Sequence, residues 1–263
     1  MGVLACFPLA VAGCAGPSAE APPSTFLSAV LNTHDPSATG YGFTVLDATP
    51  QELAAVGRPE RALIWLGGYD DVSCSFVWSD DDVRAAFARY KLASDPRTVG
   101  YYLADEPNSD GRCPIASDQV RRRAELVRSL DPDRSHFTLV NVDNPDLFAA
   151  FRDAADVLAT DPYPCTARHG CDWSLIPAFI ARLRAARIPR YVAMLQAFSG
   201  EQWRWPTAPE LQRMIDQWRS SDWCGAITFS WAYSGGRLAD HPDLLAVLDR
   251  FNAELPQPAR PCW

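Results

Sequence analysis

The sequence predicts a single (β/α)8 barrel, an α/β fold of the TIM type, and three observations carry that prediction. Eight short, nearly continuous apolar runs recur along the chain, the pattern of parallel strands buried on both faces. Helical patterns separate most of them, and strand–helix alternation builds a parallel sheet covered by helices. Acids, amides and aromatics recur just after the runs, at the strand ends where such barrels keep their chemistry. The 263 residues suffice for one such domain.

Residues 1–14 are read as an export signal and excluded from the fold. Residues 3–13 are apolar, and Val11-Ala12-Gly13-Cys14 resembles the bacterial lipobox, in which the Cys becomes the lipidated N-terminus. The stretch is too short to span a bilayer, and no Lys or Arg precedes Cys14. Residues 15–25, rich in Ala, Gly, Pro and Ser, read as a flexible tether, which leaves 26–263 as the barrel.

The strands are expected over residues 26–32, 42–47, 62–66, 99–104, 137–142, 157–161, 191–196 and 226–231. The first connection, 33–41, is short and rich in breakers, so the first helix is expected to be missing or replaced by a loop. Helices are expected over 50–56, 80–93, 117–130, 145–154, 174–186, 208–220 and 242–253. Val83, Phe87 and Tyr90 repeat at helical spacing in the second of these, and Ser79 precedes it as an N-cap.

The chain holds eight Cys. With Cys6 and Cys14 assigned to the leader, six remain, an even number that suits disulfides in an exported chain. Cys165 and Cys171 bracket a short loop. Cys74 and Cys113 each follow a strand on one rim. Cys224 with Cys262 is left by subtraction. The four His show no ligand spacing and no Cys-x-x-Cys is present, so neither a metal nor any other cofactor is expected. A formal charge of −8 and a pI of about 5.0 argue against nucleic acid and anionic membrane surfaces as partners. The chain is expected to be a monomer, exported to the cell surface or beyond, with a lipid anchor at Cys14.

The strand ends, in order, present Asn32, Asp47, Trp65, Asp105 with Glu106, Asn141 with Asp143, Asp161 with Tyr163, Gln196, and Trp231 with Tyr233. Acids and amides hydrogen-bond hydroxyls, and aromatic rings stack on the apolar faces of sugars, so the set points to a carbohydrate ligand. Trp203 and Trp205, two residues apart, would share a face in an extended segment and form a stacking platform. Arg168 and His169, in the loop between Cys165 and Cys171, are further candidates for contact with substrate.

Val99-Gly100-Tyr101-Tyr102-Leu103-Ala104-Asp105-Glu106-Pro107 is the segment that makes this specific. It resembles the clan of barrel glycoside hydrolases whose acid/base Glu follows strand four in an Asn-Glu-Pro-like motif. The resemblance implies that Glu106 is the acid/base, with Asp105 where Asn is usual, and that Trp231 floors the sugar site. The clan's nucleophile is a Glu after strand seven, but here the chain reads Leu195-Gln196-Ala197-Phe198, and Glu201 comes five residues later. A neutral Gln196 cannot attack an anomeric carbon, so the retaining mechanism does not carry over. Asp161-Pro162-Tyr163-Pro164-Cys165 also resembles a run in exported bacterial proteins described only as glycoside-hydrolase-like barrels. That likeness spans about residues 26–255.

Glycoside hydrolysis needs a second carboxyl, about 5–5.5 Å from the first for retention or about 6.5–9.5 Å for inversion. Asp161 is the first candidate, with Tyr163 beside it; Asp105 is the second and Asp47 the third. Gln196 is expected to bind a hydroxyl or hold the attacking water. The expected activity is hydrolysis of an extracellular poly- or oligosaccharide. The competing readings are a barrel that binds glycan without cleaving it and a structural surface lipoprotein.

Overall fold

Each of the eight apolar runs becomes a strand. The computed structural model describes residues 26–33, 35–56 and 60–256. The leader, the tether and Cys262 lie outside them, and with Cys262 the expected partner of Cys224. The strands are β1 (Leu27–Val30), β2 (Val45–Ala48), β3 (Arg61–Trp65), β4 (Thr98–Ala104), β5 (Phe137–Asn141), β6 (Val157–Thr160), β7 (Tyr191–Gln196) and β8 (Gly225–Phe229). Each pairs in parallel with its sequence neighbours, and β8 closes on β1. The fold is a closed (β/α)8 barrel.

Burial on both faces explains why the strands read as continuous apolar runs. One set of side chains, including Leu27, Leu63, Tyr102, Leu139, Val192 and Ile227, fills the barrel interior. The other set, including Val30, Ile64, Tyr101, Val140 and Leu195, packs outward against the helices. Each such side chain, fully buried, contributes about 1.5–3 kcal/mol relative to exposure. Gly100 and Gly225 sit where neighbours approach closely. A Cβ at Gly100 would lie 2.6 Å from the Phe137 carbonyl oxygen, and one at Gly225 would lie 2.5 Å from Leu27 Cβ.

Six α-helices are present among the described residues: α1 (Asp80–Tyr90), α2 (Ala116–Leu130), α3 (Phe148–Phe151), α4 (Leu175–Ala185), α5 (Ala208–Trp218) and α6 (Pro242–Ala253). Ser79 caps α1 in a capping box with Asp82, and Thr207 does the same for α5 with Glu210. The first helix is indeed replaced, by a 3-10 segment at Pro36–Tyr41 that ends at Gly42 in the left-handed region. Two expected helices shrink. Residues 50–56 give only a 3-10 turn, Leu53–Ala55, because Gly57 and Pro59 leave no room for a second turn. Residues 145–154 give a 3-10 turn and the single turn α3, since Pro145 starts the segment and the chain turns again at Arg152.

Two disulfides form as the spacing suggested: Cys74–Cys113 ties the loops after β3 and β4, and Cys165–Cys171 closes a hairpin after β6. Both suit an oxidising compartment. No helix among the described residues is long and apolar enough to cross a membrane.

A buried polar network holds β4 to the segment after α2. The Tyr101 hydroxyl, 1% exposed as a residue, donates to Asp131 Oδ2 at 2.5 Å, and His136 Nδ1 lies 2.8 Å from the same oxygen. Replacing Asp131 by Ala orphans a buried phenol, so stability is expected to fall by about 1–3 kcal/mol in urea unfolding, with Asp131→Asn recovering part of the loss. An unchanged midpoint would show the network to be energetically neutral.

Candidate active site

The site is built by an irregularity in β4. In a regular strand, neighbouring side chains point to opposite faces, so Asp105 and Glu106 could not both face the barrel mouth. β4 shifts register twice, once against β3 near Ala62 and once against β5 between Tyr102 and Ala104. After the second bulge, Tyr102 points inward while Leu103 and Ala104 both join the outer core. Glu106 then adopts φ +44°, and its N–H donates to the Asn141 carbonyl at 3.1 Å. A left-handed conformation at a non-glycine residue costs about 1–3 kcal/mol. The result is that both carboxyls open into one cavity of about 350 Å³ at the C-terminal mouth of the barrel.

Asp161, at the end of β6, completes the acidic group. It is only 9% exposed, and its carboxyl lies beside that of Glu106 in the lining of the same cavity. Burial, then the Asp161 charge, pushes the Glu106 carboxyl well above the usual carboxylate range. Burial likewise pushes Asp161 up, opposed by its hydrogen bond from Glu106 and aided by the nearby Asp105 charge. The Asp161 charge thus favours the protonated form of Glu106 beside it. Asp161 Oδ1 has no hydrogen-bond partner. Asp105 stands open to the cavity while its Oδ1 is fixed by the Tyr102 hydroxyl at 2.7 Å and Asn141 Nδ2 at 3.0 Å.

Aromatic rings surround these acids. Trp65 stacks on Tyr102 with centroids 3.9 Å apart. Tyr163 packs edge-on against Phe198 and Trp203, and Phe198 in turn meets Tyr233 edge-on. Burial keeps the Tyr163 phenol protonated, a donor at any ordinary pH.

Of the residues singled out from sequence, Asn32, Trp65, Asp105, Glu106, Asp161, Tyr163, Trp203 and Tyr233 meet in this one cavity. The others are placed elsewhere, each for a physical reason. Gln196, 1% exposed, spends its amide on loop backbone: Oε1 accepts from Cys165 N at 2.9 Å, and Nε2 donates to the carbonyls of Cys165 and Arg204. It anchors loops and does not face the cavity. Trp231 does not floor the site. β8 ends at Phe229, two residues earlier than expected, so Phe229 reaches the cavity while Trp231 packs in the outer core near Tyr41. Trp205 forms no platform with Trp203. It stacks on His241 at 3.9 Å between centroids and lines neither the cavity nor its rim. Asn141 is fully buried behind Asp105.

Asp47 is likewise one layer back. Its carboxylate accepts from the backbone N–H of Asn32 at 2.9 Å and Thr33 at 3.1 Å, and from Trp65 Nε1 at 3.2 Å. It thereby holds two pieces of the cavity wall, Asn32 at φ +57° and the Trp65 ring. Asp47→Ala leaves the buried Thr33 N–H without this acceptor, so a loss of about 1–3 kcal/mol is expected, read by thermal unfolding. Weaker saccharide binding, read by Trp fluorescence titration, should accompany it. Intact affinity would show that neither Asn32 nor Trp65 depends on Asp47.

Leu31, Tyr102, Met194, Phe198 and Phe229 also line the cavity and were not anticipated as site residues. Tyr102 sits inside the strand, three residues before Asp105, and only the bulge reveals its face. The acid beside it was the sole signal.

No protein-family model matches the chain, and no curated protein does. Solved structures do. A GH18 chitinase from Pseudoalteromonas aurantia superposes with a TM-score of 0.59 at 10% identity, over 87% of this chain and 99% of that one. The β-D-glucuronidase of Dictyoglomus thermophilum gives 0.59 at 15%, over 90% of this chain and 51% of that one. The glycoside hydrolase domain of PgaB (BpsB) from Bordetella bronchiseptica gives 0.55 at 12%, over 91% of this chain and all of that one. The chain therefore shares the TIM-barrel fold of these solved structures.

Proposed function

We propose that this barrel hydrolyses a glycosidic bond in an extracellular poly- or oligosaccharide, with Glu106 as the general acid and Asp161 as its partner carboxylate. The observation that supports this best is that three acids, Asp105, Glu106 and Asp161, line one aromatic-walled cavity at the barrel mouth. A general acid must keep its proton near neutral pH, and burial beside a second negative charge does that for Glu106. Trp65, Tyr163 and Tyr233 would take the sugar faces, and Asp161 Oδ1 would accept from a substrate hydroxyl or amide.

Asp161 in this arrangement sets the proton of Glu106, and Asp105, open to the cavity, is the carboxyl free to face the anomeric carbon or its water. One observation favours the reading as a non-cleaving glycan binder: Gln196 at the end of β7 is neutral and fully engaged by backbone. Turnover of an oligosaccharide panel by wild type and Glu106→Gln, followed by product chromatography, separates the two. Loss in the variant supports hydrolysis; equal turnover removes Glu106 from the mechanism; affinity without turnover in either protein leaves the binder.

A further inference from the structure

Beside the carboxyl cavity lies a wider cleft of about 610 Å³, and the two share Trp203 and Tyr233 as a common wall. We propose that this cleft receives a carboxylate-bearing sugar of an acidic oligosaccharide, held by Arg168. The inference rests on reading the neighbouring cavity as a saccharide site, and it names the substrate class of that site.

Arg168 and His169 sit at the tip of the hairpin closed by Cys165–Cys171 and line the cleft. The hairpin is braced along its length. Thr166 bridges Trp203, Ala167 N donates to the Gln202 carbonyl at 2.9 Å, and Gln196 holds Cys165 from below. Its tip is therefore presented on a rigid mount, which lowers the ordering cost of binding. The cation on it is unspent: neither Arg168 nor His169 has an ion pair among the described residues. Arg204, the residue after Trp203, shows the contrast. Its guanidinium is clamped by both oxygens of Glu210 at 2.7 and 2.8 Å. A chain of net charge −8 thus leaves a planar, five-donor fork idle at the mouth of a sugar-sized cleft. That fork matches a carboxylate bidentately. Trp203 and Tyr233 offer ring faces for the pyranose that carries it.

Glu201 is the sole acid that lines the cleft, and it too is exposed and unpaired. It repels an anion that strays from Arg168, so the two charges orient the ligand. Their substitutions are then expected to act in opposite directions.

The test measures binding by calorimetry on Glu106→Gln protein, so that no ligand is consumed. The probes are uronic-acid oligosaccharides and the same oligosaccharides after chemical reduction of their carboxyls to neutral sugars. The acidic form is expected to bind at least about tenfold tighter at low salt. Arg168→Gln is expected to bring its affinity down to that of the reduced form. Glu201→Gln is expected to raise acid affinity by about two- to fivefold, and added salt to lower it. Equal affinity for acidic and reduced forms, an Arg168→Gln loss that is the same for both, or no binding of either overturns the proposal. These outcomes are independent of hydrolysis. Acid selectivity in a protein whose Glu106 variant turns over like wild type would remove the hydrolase reading and keep the cleft; loss of turnover without acid selectivity would do the reverse.

Discussion

Glu106→Gln is expected to lower turnover by about 10²–10⁴-fold, the usual contribution of a positioned general acid, and to raise thermal stability at the same time. The two effects have one cause. Burial and the Asp161 charge lift the Glu106 carboxyl far above its ordinary value of 4.5. Between the unfolded and folded values the native state binds more protons than the unfolded chain, so stability falls as pH rises. The loss begins near pH 4.5 and grows through the neutral range. Gln carries no charge to bury and no proton to lose, so the gap in melting temperature between variant and wild type should widen from pH 5 to pH 8. A gain of about 0.5–2 kcal/mol is the scale seen when a strained functional group is relieved. For a chain of this size that is roughly 2–4 °C per kcal/mol. Melting curves at both pH values, with turnover measured beside them, check the prediction. A variant no more stable at pH 8 than wild type would mean that Glu106 is not held protonated by its surroundings.

Asp161→Asn is expected to move the alkaline limb of the pH–rate profile to lower pH by about 1–3 units. As the general acid, Glu106 is active only while protonated, and the charge of Asp161 helps keep it so. An amide in that position still hydrogen-bonds but repels nothing, so Glu106 releases its proton earlier as pH rises. The prediction is signed, because a purely structural role for Asp161 would lower the rate without moving the limb. Carboxyl NMR titration of the Glu106 side chain reads the same shift in the absence of any substrate. A titration unmoved by Asp161→Asn would break the link between the two acids.

The strands were legible because burial on both faces leaves a local signature: runs such as Ala193-Met194-Leu195 admit no polar residue wherever they point. Capping was legible for the same reason, since Ser79 with Asp82 is a contact within one turn. The acids at the tips of β4 and β6 could also be brought together on paper, because parallel strands of a closed barrel end on one rim. Trp231 and Gln196 show where that reasoning stops. Both stand close to a strand end in sequence, yet one faces the outer core and the other is used up by loop backbone. Which face a residue takes at a strand end depends on where the last ladder bond falls, and a one-residue difference reverses it.

Local patterning alone determined the closed barrel, the missing first helix, two disulfide pairs and the acidic, aromatic character of one rim. Tertiary structure alone decided that Asp105, Glu106 and Asp161 open into one cavity, and that the cleft walls are Trp203 and Tyr233 and not Trp205 or Trp231. The reason is that alternation is a property of a few consecutive residues. A bulge, a positive φ and the convergence of acids on one cavity are set by neighbours far along the chain, which the order of residues does not display.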